Sequence, residues 1–252
     1  MREFVHELSY EYEDTYWWYV ARRNIVIDQV KRMSALMAMC PRILDYGCGT
    51  GAMLCALAEV GDASGMDVAP AAVAYCRARG MQQVTLLSAA QDLAHQIEGS
   101  YDIITLLDVL EHVRDDSTLL RILGGHLTTE GRLIITVPAY RFLWSGEDNI
   151  SCHLRRYTRG SLLRVVRAAG LVPLKTTYFG TFLFPVQLLV VALNYCRTGS
   201  QQESYVRPLP RLLNATLQWV MALERFVLRR ANFPLGGSIL CCAARPRVQE
   251  IQ

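Results

Sequence analysis

The sequence has 252 residues, of which 52% are hydrophobic and 19% charged, and a formal net charge of +3. A chain of this size and composition fits one large α/β domain, or a domain of ordinary size with an added subdomain. The small net charge gives no reason to expect a nucleic acid partner. Eight cysteines without a C-x-x-C pair favour reduced thiols over disulfides or zinc ligands.

The charged N-terminus and the short apolar stretches favour a cytoplasmic protein. The first residues, Met-Arg-Glu-Phe-Val-His-Glu, are too charged for a signal peptide. The longest apolar stretch, Phe182 to Cys196, is interrupted by polar residues. It is also shorter than the ~20 residues that a membrane-spanning helix needs. We therefore expect no transmembrane segment.

Apolar runs and helical patterns alternate from residue 42 onward. We predict strands at 42–46, 63–67, 84–87, 102–107, 132–137, 171–178 and 238–244. The predicted helices are 52–60, 70–79, 117–127 and one that runs from the N-cap Thr158 to Ala169. Strands that alternate with helices imply an α/β fold with a doubly wound, mostly parallel, seven-stranded sheet.

Interruptions of this alternation suggest the domain organisation. Residues 1–40 are predicted as an N-terminal helical lid, and 41–180 together with 235–247 as the core. Residues 181–234 are predicted as a helical insertion before the last strand, with helices at 181–197 and 209–231 joined by a polar linker at 198–208. Residues 140–157, rich in aromatic and basic side chains, are predicted as a loop.

A glycine-rich turn joins the first strand to the first core helix. Gly47, Gly49 and Gly51 let the chain bend sharply and let a ligand approach the backbone, and the following helix offers free N–H groups. Gly47, Gly49 and Ala52 also satisfy the dinucleotide fingerprint, and Asp67 lies 20 residues after Gly47. The glycines therefore indicate a nucleotide-type ligand without distinguishing between two cofactor classes.

Asp45 distinguishes between these classes. It stands immediately before the glycines, where a dinucleotide would bring its pyrophosphate, and a carboxylate there would repel the phosphate charges. S-adenosylmethionine has no phosphate, and its sulfonium and ammonium groups are cationic. Asp67, at the end of the second strand, is suitably placed to accept hydrogen bonds from ribose hydroxyls. The sequence thus favours S-adenosylmethionine over NAD.

Five segments in order carry a family resemblance. They are 43–51 (Ile-Leu-Asp-Tyr-Gly-Cys-Gly-Thr-Gly), 65–68 (Gly-Met-Asp-Val), 101–104 (Tyr-Asp-Ile-Ile), 107–113 (Leu-Asp-Val-Leu-Glu-His-Val) and 131–138 (Gly-Arg-Leu-Ile-Ile-Thr-Val-Pro). Together they resemble a class I S-adenosylmethionine-dependent methyltransferase of the group acting on small molecules and lipids, similar in motifs to ubiquinone-pathway O-methyltransferases. The resemblance implies a Rossmann-like fold, with S-adenosyl-L-methionine as cofactor and S-adenosyl-L-homocysteine as product.

The resemblance also implies cofactor contacts at matching positions. The glycine loop, with Cys48, would pass under the methionine part of the cofactor, and Asp67 would bind the ribose. Val68 would flank the adenine, and Asp108 would lie near the methionine end. Related proteins often have an acid after the third strand, where this chain has Ser-Ala-Ala-Gln-Asp at 88–92. Either Gln91 or Asp92 substitutes for it, or the backbone around Ala90 contacts the adenine.

The aromatic N-terminal run at 16–23 leaves two alternatives open. As a lid over the cofactor, it would bring Trp18 beside the sulfonium, where cation–π attraction contributes about 0.5–2 kcal/mol. Arg22 or Arg23 would then pair with the cofactor carboxylate. As a plain structural helix, the run would pack across the sheet instead.

Candidate catalytic residues are Glu111, His112 and His153. Either histidine could be the base that takes the proton of the acceptor, since free imidazole titrates near neutrality, or it could be structural. Asp108, Glu111 and His112 form a D-x-x-E-H pattern similar to the E-x-x-E-H of ubiquinone-pathway enzymes, which can hold a divalent cation. We expect no metal here, and keep these three residues as the alternative site.

The region after the fifth strand supplies candidate acceptor contacts. Tyr140, Arg155, Arg156 and Tyr157 are expected to bind the acceptor, with the arginines clamping a carboxylate or phosphate. The alternative is a basic loop that only leads into the next helix.

The apolar, arginine-flanked insertion must bury its apolar side somewhere. It would cover the acceptor pocket, contact a second subunit in a homodimer, or lie on the inner face of a membrane to reach a lipid-like acceptor. For the chain as a whole, the expected activity is methyl transfer to O, N or C of a small-molecule or lipid-like acceptor. The alternatives are an NAD-dependent oxidoreductase and a non-catalytic cofactor-binding protein.

Overall fold

A computed structural model describes residues 3–35, 37, 39–88, 93–196 and 209–246. Two helices, α1 (Glu3–Tyr12) and α2 (Trp17–Ser34), precede the sheet. The strands are β1 (Arg42–Tyr46), β2 (Asp62–Asp67), β3 (Val84–Leu86), β4 (Tyr101–Leu107), β5 (Leu127–Pro138), β6 (Val172–Phe179) and β7 (Ser238–Ala244). The later helices are α3 (Ala52–Ala58), α4 (Pro70–Ala78), α5 (Leu93–Gln96), α6 (Asp116–Gly125), α7 (Gly146–Ile150), α8 (Arg159–Ala168), α9 (Phe184–Cys196) and α10 (Arg211–Leu228).

The strands form one sheet in the order β3-β2-β1-β4-β5-β7-β6. Strand β7 runs antiparallel to both β5 and β6, and the other pairs are parallel. The prediction of a mostly parallel, seven-stranded sheet is therefore confirmed. The strand order reverses between β1 and β4, and in open α/β sheets ligands bind at the carboxyl ends of the strands beside such a reversal.

Alternate residues of the central strands fill two cores, one on each face of the sheet. Leu44, Leu106 and Leu133 belong to one core, whereas Ile43 and Ile103 belong to the other. Successive side chains of a strand point to opposite faces, so strands covered by helices on both faces are apolar at nearly every position. This explains the apolar runs in the sequence.

Helix boundaries follow local capping chemistry. The predicted N-cap Thr158 accepts a hydrogen bond from the backbone N–H of Ser161, so α8 begins at Arg159. The prediction of a plain loop at 140–157 is wrong, because Ser145 and Asp148 form a capping box that starts α7. A 3-10 turn at Arg141–Leu143 precedes this helix.

Helices α9 and α10 lie between β6 and β7, and α10 packs against α2. Asp28 of α2 accepts hydrogen bonds from Arg225 and Arg229 at 2.5–3.0 Å. Burial alone would raise the pKa of Asp28, but these two arginines lower it to about 2. The predicted linker at 198–208 lies outside the described residues. None of the helices in the described part of the chain is long and apolar enough to cross a membrane.

Candidate active site

A cavity of about 1320 Å³ lies at the carboxyl ends of β1, β2 and β4, where the strand order reverses. Its walls come from α1, α2, the glycine-rich turn, the segments after β4 and β5, α9 and α10. We call the part around Asp45, 47–51 and Asp67 the glycine-turn end, and the part around Glu111, His112 and His153 the histidine end.

The glycine turn keeps open space beside the backbone. Gly47, Gly49 and Gly51 have φ angles of 77°, 54° and 95°, a region that favours glycine. A Cβ added to Gly47 would come within 2.3 Å of Val109, whereas one added to Gly49 would meet nothing within 4 Å. The turn is thus packed at Gly47 and open at Gly49. Cys48 is buried behind the turn, with its Sγ 3.8 Å from the Sγ of Cys76.

Two acids flank the glycine turn. Asp45 is 2% exposed and accepts a hydrogen bond of 2.6 Å from the hydroxyl of Thr105. Burial raises the pKa of Asp45 to about 6, because a charged carboxylate is disfavoured away from water. The carboxylate of Asp67 accepts hydrogen bonds of 2.9 Å from the backbone N–H groups of Gly49 and Ala69. Both carboxylates lie in the cavity wall.

Asp108 and Arg22 form an ion pair between the two ends of the cavity. Asp108, at the end of β4, has a φ of 54°, a strained backbone for a residue other than glycine. The hydroxyl of Thr136 donates a second hydrogen bond to Asp108 at 3.0 Å. The Nε of Arg22 is buried and finds no hydrogen-bond partner within the described residues. Arg22 therefore has one buried N–H group that can still donate a hydrogen bond to a ligand.

Helix α2 brings both of its predicted cofactor residues, Trp18 and Arg22, to the cavity. Trp18 also stacks on Phe179 of β6 at 5.6 Å between ring centroids. The aromatic run thus packs on the sheet and lines the cavity at once, so the two alternatives weighed for it are not exclusive. Val68 also lines the cavity, with 71% of its surface exposed. Ala90, Gln91 and Asp92 lie outside the described residues.

The histidine end gathers three titratable groups. Glu111 is fully buried, and neither of its carboxyl oxygens has a hydrogen-bond partner in the described part of the chain. Burial and the nearby Asp108 raise the pKa of Glu111 well above its usual range. The ring of His112 meets that of His153 edge-on at 4.7 Å. Burial and the neighbouring His153 lower the pKa of His112 to about 4.

Asp148 positions His153. Its Oδ1 lies 2.9 Å from Nδ1 of His153, and Arg156 donates two hydrogen bonds to its carboxylate, at 2.7 and 2.8 Å. Burial would raise the pKa of Asp148, but these hydrogen bonds hold it well below its usual range. The other ring nitrogen of His153 lies 3.9 Å from Glu111. Sequence reasoning missed Asp148; the Ser145-x-x-Asp148 spacing was the available signal.

Three of the four predicted acceptor residues do not line the cavity. Arg155 pairs with Asp116 on the outside, and the buried Tyr157 hydroxyl donates a hydrogen bond to Asp116 at 2.9 Å. Tyr140 stacks between Phe142 and Tyr178. These packing partners account for all three side chains. Arg156 does line the cavity, but its guanidinium is engaged by Asp148.

The three residues that the structure brings together as possible metal ligands differ from the predicted set in one residue. Among the described residues, Glu111, His112 and His153 have ligand atoms that all lie within 4.8 Å of one another. Asp108, proposed from the D-x-x-E-H pattern, is instead paired with Arg22. Carboxylate and imidazole ligands suit several divalent cations. The donor set is therefore compatible with a cation without requiring one.

Sequence comparisons point to one family. A family model described as a methyltransferase domain matches residues 16–176. The ubiquinone biosynthesis O-methyltransferase of Xanthomonas oryzae pv. oryzae is 28% identical over 155 residues, which are 58% of this chain and 58% of that protein. The match thus spans less than two thirds of that relative's length.

Structural comparisons agree on the fold. The cyclase SpnF superimposes with a TM-score of 0.55 at 20% identity, covering 88% of this chain and 80% of that one. Magnesium protoporphyrin IX methyltransferase from Synechocystis PCC 6803 with bound SAH gives a TM-score of 0.51 at 18% identity, covering 90% and 85%. Likeness at these identities establishes the fold alone. Because the family model covers more than half of the chain, including the glycine turn and the strand ends that line the cavity, the chain belongs to the methyltransferase-domain family.

Proposed function

We propose that this protein is an S-adenosylmethionine-dependent methyltransferase acting on O, N or C of a small-molecule or lipid-like acceptor. The observation that carries the proposal is the buried carboxylate of Asp45 beside an open glycine turn. A cationic ligand would favour the ionised carboxylate, whereas a pyrophosphate would be repelled by it. The same observation argues against an NAD-dependent oxidoreductase.

The residues at the glycine-turn end fit this cofactor in charge. We propose that Asp45 and Asp108 stabilise its cationic groups and that Asp67 accepts hydrogen bonds from the ribose. Arg22 has a buried Nε without a partner in the described residues, which suits the cofactor carboxylate. Trp18 and Val68 supply apolar contacts, and Gly49 leaves room at the backbone. When bound, this cofactor supplies an electrophilic methyl group.

At the histidine end, we propose that His153 removes a proton from the acceptor. Asp148 accepts a hydrogen bond at Nδ1 of His153, which leaves the other ring nitrogen free to accept a proton. His112, with its pKa lowered to about 4 by burial and by His153, is a weak base. Glu111 lies 3.9 Å from His153 with both oxygens unpartnered in the described part, so we propose that it binds the polar atom of the acceptor.

For the insertion at 181–234, contact with a second copy and contact with a membrane surface are both proposals. Exposed apolar side chains on α9 and α10 support either one, since large exposed apolar patches mark interaction sites. A lipid-like acceptor is supported by the apolar cavity residues Leu183, Val186, Val190 and Leu217.

Calorimetry tests the cofactor assignment. S-adenosylmethionine should bind to the protein, NAD should not, and Asp45→Asn should weaken binding about a hundredfold by removing a buried charge. Asp62→Asn, an exposed acid at the opposite end of β2, is the matched control and should leave affinity unchanged. Binding of NAD alone, or equal affinity of the Asp45 variant and wild type, would overturn the assignment. Cofactor binding without methylation of any acceptor tried would instead favour a non-catalytic role.

A further inference from the structure

Helix α10 presents a second face that the fold does not use. Its inner face carries the buried residues Met221, Glu224 and Leu228. On the outer face, Leu212, Trp219, Leu223 and Phe226 are 82%, 64%, 43% and 58% exposed. Their spacing of three, four or seven residues places them on one side of the helix. An apolar stripe therefore runs along the outside of α10.

Helix α9 carries a second set of exposed apolar side chains. Its sequence, Phe-Pro-Val-Gln-Leu-Leu-Val-Val-Ala-Leu-Asn-Tyr-Cys, contains no charged residue. Leu188, Leu189 and Leu193 are 38%, 59% and 55% exposed and do not line the cavity. Val186 and Val190 are also exposed, and these two do line the cavity. The exposed apolar side chains of α9 thus reach the cavity wall.

The exposed charges in the described part of this insertion have one sign. Arg211 and Arg230 are exposed near the two ends of α10, whereas Arg225 and Arg229 are paired with Asp28. In the described residues from 181 to 235, the single acid is Glu224, which is buried and accepts hydrogen bonds from the backbone N–H groups of Gly180 and Phe182. Two copies meeting through this face would bring like charges together, whereas an anionic bilayer complements them.

We infer that α9 and α10 dock this protein on an anionic lipid bilayer, with the apolar side chains in the acyl boundary and the arginines at the headgroups. The docking itself does not depend on the catalytic assignment. One consequence of the docking does rest on the proposed function. A lipid-like acceptor would pass from the bilayer to the cavity along Val186 and Val190.

Vesicle flotation with the full chain tests the docking. Vesicles of equal parts phosphatidylglycerol and phosphatidylcholine should retain the protein, and pure phosphatidylcholine vesicles should retain far less. The double variant Trp219→Ser/Phe226→Ser should reduce partition at least about tenfold, since apolar burial drives interfacial binding. Leu86→Ser/Leu174→Ser, which removes two exposed apolar side chains from β3 and β6, should not change it.

A second pair of variants tests the electrostatic part. Arg211→Gln/Arg230→Gln should weaken binding to the anionic vesicles about fivefold per arginine, and more salt should weaken wild type. Arg164→Gln/Arg167→Gln removes the same charge from the exposed side of α8 and should have a much smaller effect.

Two results would overturn the inference. One is failure of the folded wild-type protein to float with anionic vesicles. The other is a dimer in sedimentation equilibrium that Trp219→Ser/Phe226→Ser converts to a monomer, which would assign the face to a second copy. Flotation needs neither cofactor nor acceptor, so its outcome is independent of the calorimetry that tests the methyltransferase assignment.

Discussion

At the glycine-turn end of the cavity, Asp45 and Asp67 each accept hydrogen bonds from neighbouring groups, whereas Glu111 at the histidine end accepts none from the described residues. The glycine-turn end is therefore preorganised by the Thr105 hydroxyl at Asp45 and by backbone N–H groups at Asp67. At the histidine end, Asp148 fixes His153 and leaves Glu111 unsatisfied beside it. A buried carboxyl without a hydrogen bond is costly, which supports the proposal that the acceptor supplies its partner.

The contrast between the two ends of the cavity can be tested first at Asp148. Replacing this residue is expected to have the largest effect on the free energy of unfolding. Asp148→Asn leaves Arg156 buried without its ion pair and should lower the free energy of unfolding by about 3–5 kcal/mol. Urea denaturation measures this. The control Asp115→Asn alters an exposed N-cap and should leave the free energy of unfolding almost unchanged, because asparagine caps a helix as well as aspartate does. Equal losses in the two variants would mean that the ion pair does not hold the histidine end together.

The spectrum of the histidine side chains tests the positioning role of Asp148 separately from its effect on stability. With ¹⁵N-labelled histidine, the wild-type spectrum should show His153 with its proton on Nδ1, because Asp148 accepts there. His153→Gln identifies the signal among the five histidines. The opposite tautomer in folded wild type would contradict the role given to Asp148.

Replacing Glu111 should have an intermediate effect on the free energy of unfolding, and it should stabilise the protein rather than destabilise it. Because burial raises its pKa in the folded state, the ionised form is disfavoured there, and the free energy of unfolding falls as pH rises above the unfolded value of 4.5. Glu111→Gln removes this dependence and should be more stable than wild type at pH 8. Thermal unfolding at pH 5 and pH 8 measures the difference.

Glu59→Gln, at an exposed position after α3, is the control for the glutamate and should follow wild type at both pH values. A Glu111→Gln protein that loses stability at pH 8 would show that the carboxylate is satisfied in solution. The contrast between the two ends of the cavity would then be lost.

The smallest effect concerns the pH dependence of cofactor binding. Burial raises the pKa of Asp45 to about 6, so protonation competes with a cationic ligand as pH falls through this value. Affinity for S-adenosylmethionine should be up to about tenfold lower at pH 5 than at pH 7.5, since one pH unit below a pKa leaves a tenth of the group ionised. Asp45→Asn should remove most of this dependence in calorimetry.

The glycine-turn end could be predicted from the sequence because its geometry is local. A strand, an acid and three glycines at short spacing determine where the backbone can approach a ligand, and Asp67 follows at the end of the next strand. The seven strands and their order of appearance were likewise recoverable, since residues buried on both faces leave continuous apolar runs.

The histidine end could not be predicted in the same way because it depends on long-range contacts. Arg155 and Arg156 are adjacent in sequence, yet one pairs with Asp116 outside the cavity and the other with Asp148 in its wall. Nothing in their spacing distinguishes them. Asp148 was overlooked because the aromatic and basic composition of 140–157 suggested a loop.

Asp28 of α2 forms ion pairs with Arg225 and Arg229 at the end of α10, and these pairs join the two helices. Helix α2 carries Trp18 and Arg22 into the cavity, and α10 carries the outer apolar stripe. Because Asp28 joins these helices, a ligand that favoured one arrangement of α2 would also favour one arrangement of α10. By thermodynamic linkage such an effect would be reciprocal: a surface that captured α10 would change the affinity of the cavity by the same factor as an occupied cavity would change capture by the surface.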